Sequence, residues 1–161
     1  MYLKTFLLLS VLIPLLNAAE INSRVVATKH NKNLTLGELV EIQPGLGTIM
    51  MEFGQRYYIA YYGAKAGNWA LAEYEIKELI EAQEIAEATR PEYSKDLKAF
   101  EHGALSKLQK RIKKREWSQF EKEYARTTDA CNACHKKHGH PYIYYQLPKE
   151  PPRFLRMKLE E

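Results

Sequence analysis

The sequence has little cysteine and lacks a dominant charge of either sign. Only two of its 161 residues are cysteine, which excludes a small scaffold held together by several disulfides. It has 24 basic and 20 acidic residues, and the formal net charge is +4 at pH 7. A hydrophobic content of 45% with 27% charged residues is typical of one globular domain with a buried core.

Long apolar runs are absent except at the N-terminus. There, Lys4 precedes the apolar run Thr5–Leu16, which ends in Asn17-Ala18-Ala19. This layout predicts a secretory signal peptide over residues 1–19, cleaved after Ala18 or Ala19, and export to the periplasm. The alternative is an uncleaved membrane anchor, although the run is short for a bilayer. After cleavage we expect no stable membrane insertion, and residues 20–43 are expected to be irregular.

Four segments with helical periodicity follow one another over residues 44–138. Helices are predicted over 46–66, 69–88 and 91–114, and from Ser118 to a stop at Gly139 and Pro141. Asn68 is suited to cap the second helix, and Ser118 and Glu121 have the spacing of a capping box. Long helices with short turns predict an all-α fold, an antiparallel up-down-up-down four-helix bundle.

The segment Thr127–Pro141 holds both cysteines and three of the five histidines. Cys131, Cys134 and His135 form Cys-x-x-Cys-His, the attachment sequence of a c-type haem. Residues i and i+3 share one helical face, so both thiols can reach the two vinyl groups on one porphyrin edge. His135 can then bind the iron as proximal ligand. The sequence therefore predicts one covalent haem c.

Two other uses of the same residues are open at this point. A zinc site needs about four ligands, which the two cysteines and His135, His138 or His140 could supply. A Cys-x-x-Cys pair can also form an exchangeable disulfide, but such pairs normally begin a helix after a β-strand. No strand pattern precedes Cys131.

The sixth position of the iron has several candidate ligands. In the predicted bundle, the start of the first helix lies at the same end as the motif, and it carries Met50 and Met51. Methionine is a common sixth haem ligand, and Met50 is preferred because it lies on the apolar stripe of its helix. The alternatives are core packing by both methionines, an open sixth site, or a second histidine, namely His138, His140 or His30.

The chain has four predicted helices and carries Cys131-Asn132-Ala133-Cys134-His135 near the end of the last one. In this it resembles the class II c-type cytochromes, the cytochrome c′ group. The resemblance covers about residues 44–138. It implies Cys131 and Cys134 as thioether anchors and His135 as proximal ligand. In that family, an early methionine accompanies low-spin electron carriers, whereas a bulky apolar residue accompanies five-coordinate proteins that bind nitric oxide or carbon monoxide.

Residues 139–161 depart from this family, which usually ends soon after the motif. Prolines at 141, 148, 151 and 152 exclude a helix and predict an extended, tyrosine-rich tail. This tail either shields the haem end or docks without a redox role. Tyr58 and Tyr62 form a second aromatic stripe on the first helix, expected to be a dimer face or to pack the N-terminal segment.

These observations predict an exported monohaem cytochrome that passes single electrons to redox partner proteins. The alternatives are a haem protein with an open site for nitric oxide or carbon monoxide, and a non-haem helical protein with zinc or a disulfide. No acid–base constellation beside the motif indicates an enzyme. The basic run 110–115 resembles a nucleic-acid patch, but export argues against a nucleic-acid partner. A homodimer is a further expectation.

Overall fold

The computed structural model describes residues 25–27 and 33–158, and it divides the chain into two units, 1–43 and 44–161. The predicted signal peptide, residues 1–19, lies outside the described residues. Apart from one pair of short strands, the regular structure in the described part of the chain is helical, which confirms the predicted all-α class. Over the described residues, none of the helices combines the length and apolar character needed to cross a membrane.

The described part of the N-terminal unit contains regular structure where an irregular segment was expected. Strand β1, Val25–Ala27, pairs antiparallel with β2, Asn33–Thr35. Helix α1, Leu36–Glu41, follows directly. Thr35 and Glu38 form a capping box, in which the Thr35 side chain accepts from the Glu38 amide and the Glu38 carboxylate accepts from the Thr35 amide. This local signal explains why a helix begins here.

The other α-helices of the described residues belong to the second unit. They are α2 (Leu46–Lys65), α3 (Trp69–Thr89), α4 (Pro91–Phe100), α5 (Ser106–Lys114) and α6 (Trp117–Lys137). A π-helical segment, Glu101–Leu105, joins α4 to α5, so the single helix predicted over 91–114 contains a local widening. Asn68 caps α3 as predicted by accepting from the Leu71 amide.

The predicted capping box at the start of the last helix does not form. Helix α6 begins at Trp117, so Ser118 lies inside its first turn and no side chain caps this end. The Glu121 carboxylate instead accepts a hydrogen bond from the Tyr61 hydroxyl of α2, at 3.1 Å. A contact between two helices therefore uses the side chain that the sequence assigned to a local cap.

Most of the predicted apolar stripes are buried together in one large cluster. It joins side chains of α2, α3, the π-helical segment, α5 and α6, and its largest fully buried members are Tyr57, Phe120, Ile76, Leu79, Leu105, Leu108 and Ile112. Tyr57 of α2 stacks on Tyr124 of α6 with ring centroids 4.0 Å apart. The hydroxyl of Tyr57 donates to the backbone carbonyl of Tyr124 at 2.7 Å, which aligns the two helices.

Residues 139–158 form neither helix nor strand, and they lie against α2 and α6. Tyr58 and Tyr62 donate hydrogen bonds to the backbone carbonyls of Glu150 and Pro148, at 2.5 and 2.8 Å. The second aromatic stripe of α2 therefore binds the C-terminal segment, whereas the sequence predicted a dimer face or a contact with the N-terminal segment. The sequence did not predict these hydrogen bonds, because the acceptors are backbone carbonyls, which every residue type has.

Candidate functional site

The Cys-x-x-Cys-His motif lies in the last two turns of α6. Cys131 packs against the large apolar cluster that contains Tyr57 and Tyr124, and Cys134 is half-buried. Both cysteines are free thiols. His135 is also half-buried and lies one helical turn after Cys131. The structure thus brings the predicted anchors and proximal ligand to one end of one helix.

A Schellman motif ends α6 directly after the Cys-x-x-Cys-His sequence. The amide of His140 donates to the carbonyl of His135 at 2.9 Å, and the amide of Gly139 donates to that of Lys136 at 3.2 Å. Gly139 has φ +81°, a conformation that a side chain disfavours. Because the helix stops here and Pro141 follows, the chain can reverse and return along α6.

The returning chain supplies a hydrogen-bond partner for His135. Its Nδ1 lies 2.9 Å from the backbone carbonyl oxygen of Ile143. A carbonyl oxygen can only accept, so Nδ1 carries the hydrogen and Nε2 of the neutral ring keeps its lone pair. This is the arrangement in which proteins present an imidazole to a metal, with the second ring nitrogen bound to a carbonyl or carboxylate.

Asn132, inside the motif, pairs with the backbone of Tyr145 in both directions. Its side-chain amide donates to the Tyr145 carbonyl at 3.1 Å, and its side-chain oxygen accepts from the Tyr145 amide at 2.8 Å. The hydroxyl of Tyr145 lies 3.0 Å from that of Tyr124, so the same residue is also anchored in the apolar cluster. Neither Asn132 nor Tyr145 was predicted as a site residue; the only signal in the sequence was the helical spacing i to i+3 between Asn132 and His135.

The other side of the motif is held by α4. Asp96 accepts from the Lys137 ammonium, at 2.7 Å to each carboxylate oxygen, and lies 2.9 Å from Nε2 of His138. The Lys137 hydrogen bonds hold the pKa of the Asp96 carboxyl below its ordinary range. The His138 ring also packs edge-on against Tyr93, with centroids 4.9 Å apart. His138, an alternative sixth ligand in the sequence analysis, is therefore engaged with α4.

The remaining candidate ligands are in different surroundings. Met50 is half-buried against a small apolar cluster built on Ile49, Ala86 and Leu97, which also contacts Tyr93. Tyr93 in turn contacts His138, which follows the motif. Met50 and the motif therefore lie toward the same end of this unit. The Met51 side chain is 77% exposed. His140 bonds through Nδ1 to the Tyr142 hydroxyl, and His30 lies outside the described residues.

The two thiols are in surroundings that disfavour the thiolate. Burial raises the pKa of Cys131 to about 12, and the nearby Cys134 adds to this effect. Burial also raises the pKa of Cys134. Thiols that exchange disulfides normally have a lowered pKa and lie at a helix N-terminus, whereas these lie near a helix C-terminus. Within residues 25–27 and 33–158, no three His, Cys, Asp or Glu side chains group as a metal-binding cluster.

We expect Cys131 to react slowly with iodoacetamide in folded chain made without haem attachment. At pH 8 a thiol with a pKa of about 12 is ionised in roughly one molecule in 10,000, against about a quarter for an unperturbed thiol. Its alkylation should therefore be at least about 100-fold slower than in the same chain unfolded in urea, as measured by peptide mass mapping. Equal rates in the two states would show that Cys131 is not buried.

Comparison with known proteins adds no family to this description. No protein-family model, no curated protein and no solved structure matches the chain. The class of site is therefore defined by its own geometry: two thiols and an imidazole on one helical turn, with the imidazole tautomer set by a backbone carbonyl.

Proposed function

We propose that this protein is an exported c-type cytochrome that carries one covalent haem c and transfers single electrons. The observation that carries the proposal is the bond from Nδ1 of His135 to the Ile143 carbonyl, at 2.9 Å. It leaves Nε2 as the nitrogen with a lone pair, in a residue that directly follows a Cys-x-x-Cys pair. Neither zinc nor a disulfide requires this particular histidine.

The two thiols would hold the haem through thioether bonds. In such thioethers the sulfurs of Cys131 and Cys134 would each be joined to one carbon of a vinyl group, and the thiol hydrogen would go to the other carbon as the double bond becomes single. No oxidant or reductant is consumed, because the addition conserves electrons. The raised pKa values of Cys131 and Cys134 disfavour the alternative of disulfide exchange, which requires a readily formed thiolate.

A bound haem c supplies an iron that gains and loses one electron. The protein residues would bind it, orient it and limit its contact with water. His135 supplies Nε2, and its bond to Ile143 orients the ring. Lys137 and His138 fix the last turn of α6 to Asp96 of α4. The apolar cluster behind Cys131 provides a region of low polarity on one side of the motif.

The proposed architecture is an antiparallel up-down-up-down bundle formed by α2, α3, α4–α5 and α6. Short connections between successive helices support it, as do the Tyr57–Tyr124 contact between α2 and α6 and the Asp96–Lys137 pair between α4 and α6. This arrangement puts the start of α2 at the haem end. Residues 139–158 would form an extended tail beside the haem.

Met50 is the proposed sixth ligand, and Met51 is disfavoured because its side chain is mostly exposed. The competing proposal is an open sixth side that binds nitric oxide or carbon monoxide. The N-terminal apolar segment supports export to the periplasm, where thioether attachment takes place. The partners would then be other redox proteins.

The optical spectrum of the reduced mature protein tests both the haem and its ligand. We expect a sharp low-spin α band and the added mass of one haem. Met50→Leu should remove the low-spin band and lower the reduction potential, because methionine ligation raises that potential. Met51→Leu is the matched control and should change neither.

A broad high-spin spectrum that responds to carbon monoxide would favour the open site over Met50. Unchanged spectra in both leucine variants would show that methionine is not the ligand. A polypeptide mass without haem, from cells that contain the attachment machinery, would contradict the proposed function itself.

A further inference from the structure

The C-terminal segment contacts α6 at two neighbouring positions of the haem motif. The backbone of Tyr145 pairs with the Asn132 side chain, and the carbonyl of Ile143, two residues earlier, accepts from His135. Asn132 and His135 are spaced i to i+3, so they lie on neighbouring positions of one helical face. The returning chain therefore meets both side chains in register.

We infer that Asn132 is a positioning residue: by clamping Tyr145 it holds the Ile143 carbonyl against Nδ1 of His135 and so fixes the orientation and tautomer of the imidazole ring. This inference rests on the proposed haem site, and it assigns a role to an interior position of Cys-x-x-Cys that the attachment chemistry leaves free. Asn132 touches neither the iron nor the porphyrin in this role, because it acts through the tail.

An asparagine side chain suits this clamp because it offers one donor and one acceptor side by side. It satisfies both the amide and the carbonyl of Tyr145, as a neighbouring β-strand would. Ile143 is itself exposed, so its side chain contributes little to holding the carbonyl in place. Within the segment, the amide of Ile143 bonds to the carbonyl of His140, which shapes the turn before it.

Apart from the contact between the Tyr145 and Tyr124 hydroxyls, the remaining hydrogen bonds that anchor the tail lie farther from His135. Tyr62 and Tyr58 bind the carbonyls of Pro148 and Glu150, beyond Tyr145 along the chain. Loss of one of these anchors would loosen the distal part of the tail and leave the Asn132–Tyr145 pair intact. They therefore provide a control that separates tail docking in general from positioning of His135.

The experiment compares the wild-type mature chain with Asn132→Ala, Asn132→Asp and Tyr62→Phe. In chain without haem, ¹⁵N NMR of His135 reports which ring nitrogen carries the proton. The wild type should show a protonated Nδ1. In Asn132→Ala the proton should move toward Nε2, the nitrogen that carries it predominantly in free neutral histidine. Tyr62→Phe should resemble wild type, and circular dichroism verifies that each variant is folded.

In the haem-loaded protein the same comparison uses the reduction potential and the exchange rate of the Nδ1 hydrogen. Asn132→Ala should raise the potential, because an imidazole without this hydrogen bond donates less electron density to iron. The exchange should be about tenfold faster, because the Nδ1 hydrogen loses an acceptor whose hydrogen bond contributes about 1.4 kcal/mol. Asn132→Asp keeps the side-chain acceptor and loses the donor. Its reduction potential and exchange rate should therefore lie between those of Asn132→Ala and the wild type.

The outcomes separate this inference from the proposed function. If haem is attached but Asn132→Ala leaves the potential, the exchange rate and the tautomer unchanged, the positioning role is wrong and the cytochrome assignment stands. If no haem is attached but the tautomer responds to Asn132→Ala as expected, the positioning stands and the proposed function is wrong. An effect of Tyr62→Phe on the tautomer equal to that of Asn132→Ala would also overturn the role of Asn132.

Discussion

The double variant Cys131→Ser/Cys134→Ser is expected to lack completely the covalent haem that we propose for the wild type. A hydroxyl does not form the thioether that joins each sulfur to a vinyl carbon, so denaturing electrophoresis followed by haem staining should show no haem on the polypeptide. The effect is all or none, because a haem held only through His135 dissociates when the protein unfolds. Mass spectrometry of the same material should give the mass of the polypeptide alone.

Ala133→Ser is the matched control for this variant. It introduces the same side chain at an exposed position between the two cysteines and leaves both thiols in place. It should retain the haem mass and the wild-type spectrum. Retention of covalent haem by the double serine variant would mean that attachment does not use Cys131 and Cys134, and loss in Ala133→Ser would implicate recognition of the motif rather than the thiols.

Phe120→Ala is expected to lower the free energy of unfolding by about 3–5 kcal/mol, the range for removing a fully buried phenylalanine. Phe120 has no exposed surface, and its ring lies 5.8 Å from Trp69 of α3, 5.8 Å from Trp117 and 5.9 Å from Tyr124. Loss of the ring leaves a cavity between helices that cannot close without moving them. Chemical denaturation followed by circular dichroism measures the change.

Phe154→Ala is the control, since its side chain is 65% exposed. Its replacement should change the free energy of unfolding by no more than about 0.5 kcal/mol. Equal losses in the two variants would contradict the observed burial. A small loss in Phe120→Ala would indicate that α3 and α6 can close the cavity by moving together.

The helical class could be predicted because its signals are local. Apolar residues repeat with the helical period, Gly67 and Asn68 mark one boundary, and Pro91 marks another, and these features act within a turn or two of chain. A local pattern also gave one wrong prediction, the capping box at Ser118 and Glu121. Their spacing satisfies a capping box, but Tyr61 of another helix binds the Glu121 carboxylate.

The Cys-x-x-Cys-His motif is likewise visible in the sequence, because Cys131, Cys134 and His135 are close together in the chain. The surroundings of His135 are not. The Ile143 carbonyl is a backbone atom with no identity in the sequence, and its position depends on the turn at Gly139. The roles of Tyr58 and Tyr62 were hidden for the same reason, since they bind carbonyls of Glu150 and Pro148.

By itself, the sequence determined the helical periodicity, most helix ends and the chemical identity of the candidate ligands, because each depends on residues close together along the chain. Only the tertiary structure decided which nitrogen of His135 keeps its lone pair and what Asn132 binds. Those properties arise where the reversed C-terminal segment meets α6, and contacts between distant segments are set by packing and backbone geometry rather than by residue type.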